Sequence, residues 1–80
     1  MLRPSAIDVK PLDNYKLLVF FDNGEKKIFD INDYFSIKPF QQLMNKTIFN
    51  TVRTNGITVE WLDGIDICPD DLYYNSVPVN

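Results

Sequence analysis

The segment from Tyr15 to Ile31 limits what this chain can fold into more than any other part of the sequence. Two runs rich in β-branched and aromatic residues flank Asp22-Asn23-Gly24, and asparagine and glycine tolerate the positive φ angles of a tight hairpin turn. The first run, 15–21, is apolar enough to be buried on both faces, so we place it at the centre of a sheet. The second run, 25–31, returns as its partner. The segment therefore predicts an antiparallel hairpin.

Two further regions have the pattern of strands. Residues 5–10 alternate apolar and polar side chains and predict a short edge strand that Pro11 stops, followed by a turn at Asp13-Asn14. Asn55-Gly56 is a second hairpin signal between the strand-like runs 47–53 and 57–62. In the latter run, alternation places Ile57, Val59 and Trp61 on one face and Thr58 and Glu60 on the other.

The one window with a convincing helical period begins at Pro39, a residue that fits a first helical turn. After it, Phe40, Leu43 and Met44 recur on one face of a helix. We therefore predict a helix of about two to three turns that lies with this stripe on the sheet and ends near residues 45–46.

A second, shorter helix is indicated near the C-terminus. Pro69 fits its first position, and the carboxylates of Asp70 and Asp71 are favoured at the positive end of a helix dipole. Tyr73 and Tyr74 are adjacent and point in different directions, so one of them should pack inward and the other should contact solvent or a partner.

Together these patterns predict an α+β fold: a mostly antiparallel sheet of about five short strands in two hairpins, one packed helix and a short C-terminal helix. The 80 residues suffice for a single domain, 1–80, and their 45% hydrophobic content is too high for a disordered chain. The tail, residues 75–80, is expected to fray. Because so small a domain buries limited apolar surface, we expect a homodimer or a protein partner to add stability.

Charge is segregated along the chain. Residues 1–59 contain 8 basic and 6 acidic side chains, whereas residues 60–80 contain 5 acidic ones and neither lysine nor arginine. Such a C-terminal quarter argues against contact with a nucleic-acid backbone. It favours either a solvated acidic face or a docking surface for a basic partner. The pair Lys26-Lys27 is too small a basic patch to argue for nucleic acid and is typical of a solvated hairpin.

The sequence lacks residues that several kinds of catalysis and cofactor binding require. The chain has no histidine, and its three glycines stand in separate turns, so neither the commonest general base nor a phosphate-binding loop is present. No catalytic residue and no cofactor site is indicated, and we expect a protein that is not an enzyme. The one cysteine, Cys68, has apolar neighbours and is expected to be a buried, inert thiol. With no signal peptide and no apolar run of about 20 residues, we expect a cytoplasmic protein without a membrane segment.

Several blocks of residues occur in an order that a known family shares. They are Phe20-x-Asp22-Asn-Gly24-Glu with Phe29-Asp30, then Phe40-x-x-Leu43 and Phe49-x-x-Val52, then Val59-Glu-Trp61 with Asp66-x-x-Pro69-Asp-x-Leu72-Tyr73. Through these blocks nearly the whole chain resembles the small bacterial domain of unknown function 2442.

This resemblance implies an α+β fold with a mostly antiparallel sheet. It also implies a stand-alone cytoplasmic protein or a domain fused to a helix-turn-helix and, from members that are encoded beside another small protein, a toxin–antitoxin partner. The present chain has no additional helical segment to read DNA, so the resemblance does not extend a DNA-binding role to it.

The preferred hypothesis is a small interaction module that binds another protein, as the partner or antitoxin-like member of a two-component system. Charge pairing around an aromatic anchor would hold the partner. Trp61 is one candidate anchor, although its alternation with Ile57 and Val59 favours a core position. The candidate contacts are the exposed members of the set Trp61, Asp63, Asp66, Asp70, Asp71 and Tyr74.

Two other hypotheses use the same aromatic and acidic residues. A small ligand could bind in a pocket between the helix and the sheet, or between two subunits, lined by Phe35, Phe40, Trp61 and Tyr73. A weak metal site could form from the aspartates at 63, 66, 70 and 71, since hard cations take oxygen ligands. Their spacing matches no calcium loop, and roles in turns and helix starts explain each of them, so we assign no metal ligand.

Overall fold

The computed structural model describes residues 3–79 and, for Asp63, the backbone alone. Its strands and α-helices in chain order are β1 (Ala6–Leu12), β2 (Lys16–Phe21), β3 (Lys26–Asp30), α1 (Lys46–Phe49), β4 (Arg53–Thr54), β5 (Val59–Glu60), α2 (Pro69–Tyr74) and β6 (Val77–Pro78). Short 3₁₀ helices span Asp13–Tyr15, Asn32–Tyr34, Lys38–Met44 and Leu62–Gly64.

The fold is α+β with antiparallel sheets, as predicted, but the strands are distributed differently. One sheet has four strands in the order β1-β2-β3-β6, and β4 and β5 form a separate two-stranded sheet. The helices are few and short.

The hairpin predicted around Asn23-Gly24 is confirmed and forms the centre of the larger sheet. β2 pairs with β3 in antiparallel register, with Lys16 opposite Asp30 and Phe20 opposite Lys26. At the turn, Gly24 has a φ of 89°, a left-handed angle that glycine adopts without steric cost. β2 lies between β1 and β3, so its predicted central position is also confirmed.

β1 is an edge strand of this sheet, as predicted, but it does not stop at Pro11. The strand continues to Leu12, and Pro11 pairs with Leu17 across the ladder. An edge strand accepts proline because its missing N–H can face away from the neighbouring strand. The predicted turn follows, with φ angles of 62° at Asn14 and 60° at Tyr15. Such left-handed angles are tolerated by asparagine but strained for a bulky tyrosine.

The helix predicted from Pro39 forms, but as a 3₁₀ helix over Lys38–Met44. Its tighter winding does not keep the predicted apolar stripe on one side. Leu43 is buried and Phe40 is half-buried, whereas Met44 is 50% exposed. The expectation that Met44 packs against the sheet is therefore wrong.

The run 47–53, predicted as a strand, begins instead as helix α1. The Asn45 side chain accepts a 3.0 Å hydrogen bond from the Thr47 N–H, and this cap favours a helical start over an extended chain. Phe49 enters the core from α1, so tertiary packing overrides the β propensity of the branched residues in the run. Strand β4 occupies only the end of the region.

The hairpin predicted at Asn55-Gly56 is confirmed, but it is short. The Asn55 side chain accepts hydrogen bonds from the N–H groups of Ile57 and Thr58, at 3.0 and 2.9 Å. This loop leaves Ile57 54% exposed and buries Thr58. The predicted apolar face therefore holds for Val59 and Trp61 and is wrong for Ile57.

The C-terminal tail, expected to fray, forms β6 along the outer edge of β3. Val77 pairs with Ile28, and the Val79 N–H donates a 2.8 Å hydrogen bond to the Lys26 carbonyl. The tail thereby satisfies backbone groups of β3 that would otherwise stand at an open sheet edge. The predicted fraying of residues 75–80 stays a prediction, and Asn80 lies outside the described residues.

The larger sheet has one covered face and one open face. The core combines Leu17, Val19 and Phe29 of the sheet with apolar residues from both helices and the small sheet. The opposite face, which we call the outer face, carries three cross-strand rows. The rows are Leu12–Lys16–Asp30, Lys10–Leu18–Ile28–Val77 and Asp8–Phe20–Lys26.

Candidate functional site

Helix α2 carries three of the residues nominated for partner binding, and its inner side holds it against the sheet. Leu72 is fully buried. The ring of Tyr73 lies edge-on to the ring of Phe21, with 5.1 Å between the centroids. The Lys27 Nζ lies 3.8 Å from the Tyr73 ring centroid and donates a 2.8 Å hydrogen bond to the Tyr73 carbonyl. The helix is therefore anchored with its other side towards solvent.

Lys27 is buried, so the prediction that the pair Lys26-Lys27 lies in a solvated hairpin is wrong for Lys27. Its side chain lies on the covered face of the sheet and is buried. An ammonium group can be buried only when it has partners, and the carbonyl and ring of Tyr73 provide them. The cation also lies by the last turn of α2, where the helix dipole favours positive charge.

A hydrogen bond also links α2 to the turn of the central hairpin. The Tyr73 hydroxyl donates to the Glu25 carboxylate. This bond, followed by one from the Asn23 side chain, lowers the pKa of Glu25 below its ordinary 4.5. The same bond, followed by burial, raises the pKa of Tyr73 above its ordinary 10.0. At neutral pH the bond therefore joins a neutral phenol to an ionised carboxylate.

The outer side of α2 presents an aromatic ring between two carboxylates. With about 3.6 residues per turn, Asp70, Asp71 and Tyr74 fall on this side. Tyr74 is 66% exposed, and its ring packs edge-on against Tyr73 with 5.1 Å between the centroids. Asp70 Oδ1 lies 3.2 Å from Arg3 Nε, and Asp71 is also exposed. The prediction that one of the two tyrosines packs inward and the other faces solvent is confirmed.

Asp66, another nominated residue, is exposed and lies opposite Glu60 in an isolated antiparallel bridge. Glu60 is paired, with Arg53 Nη2 2.8 Å from its carboxylate. Hydrogen bonds from Asn55 and then from Arg53 lower the pKa of Glu60. Asp66 thus lies beside an ion pair on the segment that leads into α2. The side chain of Asp63, the remaining nominated aspartate, lies outside the described part of the structure.

Trp61 is 1% exposed and is not a surface anchor. Its indole N–H donates a 2.9 Å hydrogen bond to the Phe49 carbonyl, and the rings of the two residues lie 6.2 Å apart. The core position that its alternation favours is confirmed. The exposed aromatic residue of the nominated set is Tyr74.

None of the four residues predicted to line a ligand pocket lines either of the two cavities that the structure shows, of about 420 and 330 Å³. Phe35 packs on Tyr15, Phe40 packs on Tyr34, and Tyr73 packs on Phe21, while Trp61 is enclosed in the core. Each ring therefore fills space in or beside the core.

A cavity of about 420 Å³ opens elsewhere, between the turn after β1 and helix α1. Tyr15 lies in its wall with a left-handed backbone, and the Tyr15 hydroxyl donates a hydrogen bond to the Met44 carbonyl. Lys46 Nζ lies 5.9 Å from the centroid of the same ring. The lining residues are Pro11, Leu12, Asp13, Tyr15, Lys46, Phe49 and Asn50.

The outer face of the larger sheet is a further surface, and its apolar residues are not among the predicted site residues. Leu18, Phe20 and Ile28 are half-buried but lie outside the core cluster, and Val77 is 65% exposed. A second cavity, of about 330 Å³, lies over β3 and β6. The signal that could have found this face is the even spacing of the apolar residues on β2 that alternate with its core residues.

Among the side chains that the structure describes, no group of three or more carboxylates or thiols is placed to hold a metal ion. Cys68 is exposed, so the expectation of a buried thiol is wrong. The physical reason is that Ile67 occupies the adjacent core position. Across residues 3–79, no helix has both the length and the apolar character needed to cross a membrane.

Comparison with known proteins bears on the family and not on the activity. A family model described as "Protein of unknown function (DUF2442)" matches residues 6–78, nearly the whole chain, including both hairpins and α2. No curated protein and no solved structure matches the chain. The resemblance seen in the sequence is confirmed, and the chain belongs to the DUF2442 family.

Proposed function

We propose that this protein is a non-enzymatic, cytoplasmic interaction module that binds a basic protein through the outer side of α2. The partner would be the second member of a two-component small-protein system, with this chain in the antitoxin-like role. The observation that carries the proposal is the exposed ring of Tyr74 beside the exposed carboxylates of Asp70 and Asp71 on an anchored helix.

The aromatic ring supplies the anchor of the proposed contact. Tyrosine is enriched among the residues that contribute most to binding free energy, and it loses little side-chain entropy when it binds. Tyr74 rests on Tyr73, whose own ring is held by Phe21 and Lys27. A partner would therefore meet a ring whose orientation is already restricted.

The carboxylates supply the charge. Residues 60–80 contain 5 acidic side chains and no basic one, and Arg3 and Arg53 pair with Asp70 and Glu60. Asp66 and Asp71 form no ion pair with any residue in the range 3–79. Their charge remains to attract a basic partner, and such attraction raises association rates and depends on salt.

Affinity capture from native lysate at low salt, with mass spectrometry, tests the proposal. The wild-type chain is expected to retain one basic protein in stoichiometric amount. Tyr74→Ala is expected to weaken its binding by at least about tenfold. Ile37→Ala, which removes an exposed apolar side chain from a segment outside α2, is the matched control and should capture as the wild type does. An empty wild-type bait, or undiminished capture by Tyr74→Ala, would contradict the proposal.

A small-ligand-binding domain is the second candidate function, and the cavity beside Tyr15 favours it. Its volume of about 420 Å³ lies in the range of ligand pockets, and strained backbone such as that of Tyr15 is concentrated at functional sites. A thermal-shift screen with a metabolite library is the test. Stabilisation by a metabolite should be lost in Lys46→Met and kept in Lys38→Met. A screen in which no metabolite shifts the melting temperature would count against this function.

A further inference from the structure

The outer face of the larger sheet has no covering element within the described chain. Leu18, Ile28 and Val77 form an apolar strip across three strands, with Phe20 beside it. An antiparallel sheet that faces water normally carries polar side chains on that face. A continuous apolar strip with a charged border is instead typical of an interaction surface.

The edges of this sheet are less open than its face. At one edge, β6 includes Pro78, which has no N–H to donate to an added strand. At the other, the Ala6 N–H of β1 donates a 3.2 Å hydrogen bond to the Ile57 carbonyl of the neighbouring hairpin. A partner is therefore expected on the face of the sheet and not as an added strand.

The charges beside the strip make the outer face complementary to itself. Lys16 and Asp30 are opposite each other on β2 and β3, on either side of the line between these strands. A two-fold axis parallel to that line places Lys16 of one copy over Asp30 of the other, and the reverse contact follows by symmetry. In a single chain, Lys16 and Asp30 form no ion pair with any residue in the range 3–79.

The same two-fold axis also brings apolar residues of the two copies together. Because Leu18 pairs with Ile28, the two-fold axis sets Leu18 of one copy over Ile28 of the other. It also sets Phe20 over Lys26, a contact that allows a cation–π interaction. The cavity of about 330 Å³ beside Ile28 and Val77 lies where Leu18 of the second copy arrives.

We propose that the outer face binds a second copy of this chain and forms a two-fold dimer in which β2 of each copy lies over β3 of the other. Sheets packed in this way lie about 10 Å apart, with strand directions within about 30° of each other. The dimer covers the apolar strip and pairs the charges at its border.

Sedimentation equilibrium of the full chain tests the dimer. The chain has a mass of 9.3 kDa, and the wild type should sediment at twice that mass. Ile28→Ser removes the centre of the strip and should raise the dimer dissociation constant at least about tenfold. Ile37→Ser is the matched control, because it changes the same residue type at an exposed position that belongs to no strand. A monomeric wild type, or an unchanged dissociation constant in Ile28→Ser, would overturn the proposal.

Charge reversal tests the two-fold arrangement. Lys16→Glu alone and Asp30→Lys alone each place like charges opposite each other and should sediment as monomers. An equimolar mixture should recover the dimer, because each Glu then meets a Lys on the other variant. Circular dichroism must show that both variants are folded, since Asp30 also accepts a 2.9 Å hydrogen bond from the Asn32 N–H. A mixture of folded variants that stays monomeric would overturn the two-fold arrangement. If one charge variant unfolds, the dissociation constant of Ile28→Ser remains the test of the dimer.

The dimer uses a different surface from the one proposed for the basic partner. Tyr74→Ala should leave the dimer mass unchanged, and Ile28→Ser should leave capture of the basic protein unchanged. Loss of one activity without the other therefore separates the failure of this proposal from the failure of the proposed function.

Discussion

Lys27 and Glu25 connect the central hairpin to α2, and both do so through Tyr73. The ammonium group binds the carbonyl and the ring face of Tyr73, while the carboxylate accepts the phenolic hydrogen. These contacts fix the inner side of the helix whose outer side carries Tyr74. At the scale of single residues, the proposed binding surface therefore depends on side chains that a partner never touches.

Lys27→Met should destabilise the fold by about 1–3 kcal/mol, because it removes the hydrogen bond to the Tyr73 carbonyl from a buried position. Urea unfolding followed by Trp61 fluorescence measures the change. Lys38→Met is the matched control at an exposed lysine and should stay within about 0.5 kcal/mol of the wild type. Equal effects of the two substitutions would show that the buried contact contributes nothing.

Glu25→Gln should change how stability depends on pH. The pKa of Glu25 is lowered in the fold, so its ionised form contributes stability above its ordinary 4.5. That contribution is lost as the pH falls through the lowered value. Melting temperatures measured from about pH 7 to about pH 3 should therefore converge for the wild type and Glu25→Gln as the solution becomes acidic. A difference that stays constant with pH would contradict the linkage.

At the scale of elements, the structures that were predicted correctly are those with a turn signal in the local sequence. Both hairpins follow from Asn-Gly turns that carry their own signal. Helix α1 replaces a predicted strand because the Asn45 side chain caps it and Phe49 is drawn into the core. Strand β6 was not predicted, because it forms by pairing with β3, far away in sequence. The Asn45 cap is a local signal, whereas the burial of Phe49 and the pairing of β6 depend on contacts with residues far away in sequence.

Asn45→Ala should cost about 1 kcal/mol by removing the cap of α1. Asn50→Ala is the control at the other end of the same helix, where the backbone N–H and not the side chain makes the capping bonds. Chemical unfolding of both variants measures the difference. Loss of equal stability in the two would argue against a capping role for the Asn45 side chain.

The amide of Val79 should be protected from hydrogen exchange, because it donates a 2.8 Å hydrogen bond to the Lys26 carbonyl. Exchange monitored by nuclear magnetic resonance compares it with the amide of Gly56, which lies in an exposed turn. Slow exchange at Val79 and fast exchange at Gly56 are expected. Equally fast exchange at both would show that β6 does not persist in solution.

At the scale of the whole molecule, the sequence shows the charge segregation but not which acids are available. Arg3 comes to Asp70 from the far end of the chain, and only the fold reveals that pairing. Burial likewise decides between the two aromatic candidates, enclosing Trp61 and leaving Tyr74 in solvent. The acidic region was predictable as a region, whereas its exposed contacts depend on helix phase and long-range packing.

The two proposed surfaces belong to different elements, so one molecule can use both at once. The outer side of α2 would bind the basic protein, and the outer face of the sheet would bind a second copy. The first of these contacts is the central claim, because it concerns what the protein does and not only how it assembles.

Calorimetric titration of the captured basic protein into the chain tests that claim most directly. Asp66→Asn/Asp71→Asn removes the two carboxylates that form no ion pair in the range 3–79. It should raise the dissociation constant at least about tenfold at low salt and should weaken its dependence on salt, since screening acts on the charges removed. Asp8→Asn/Asp13→Asn removes the same number of exposed carboxylates elsewhere and should bind as the wild type does. Equal dissociation constants for the two double variants at every salt concentration would contradict the account.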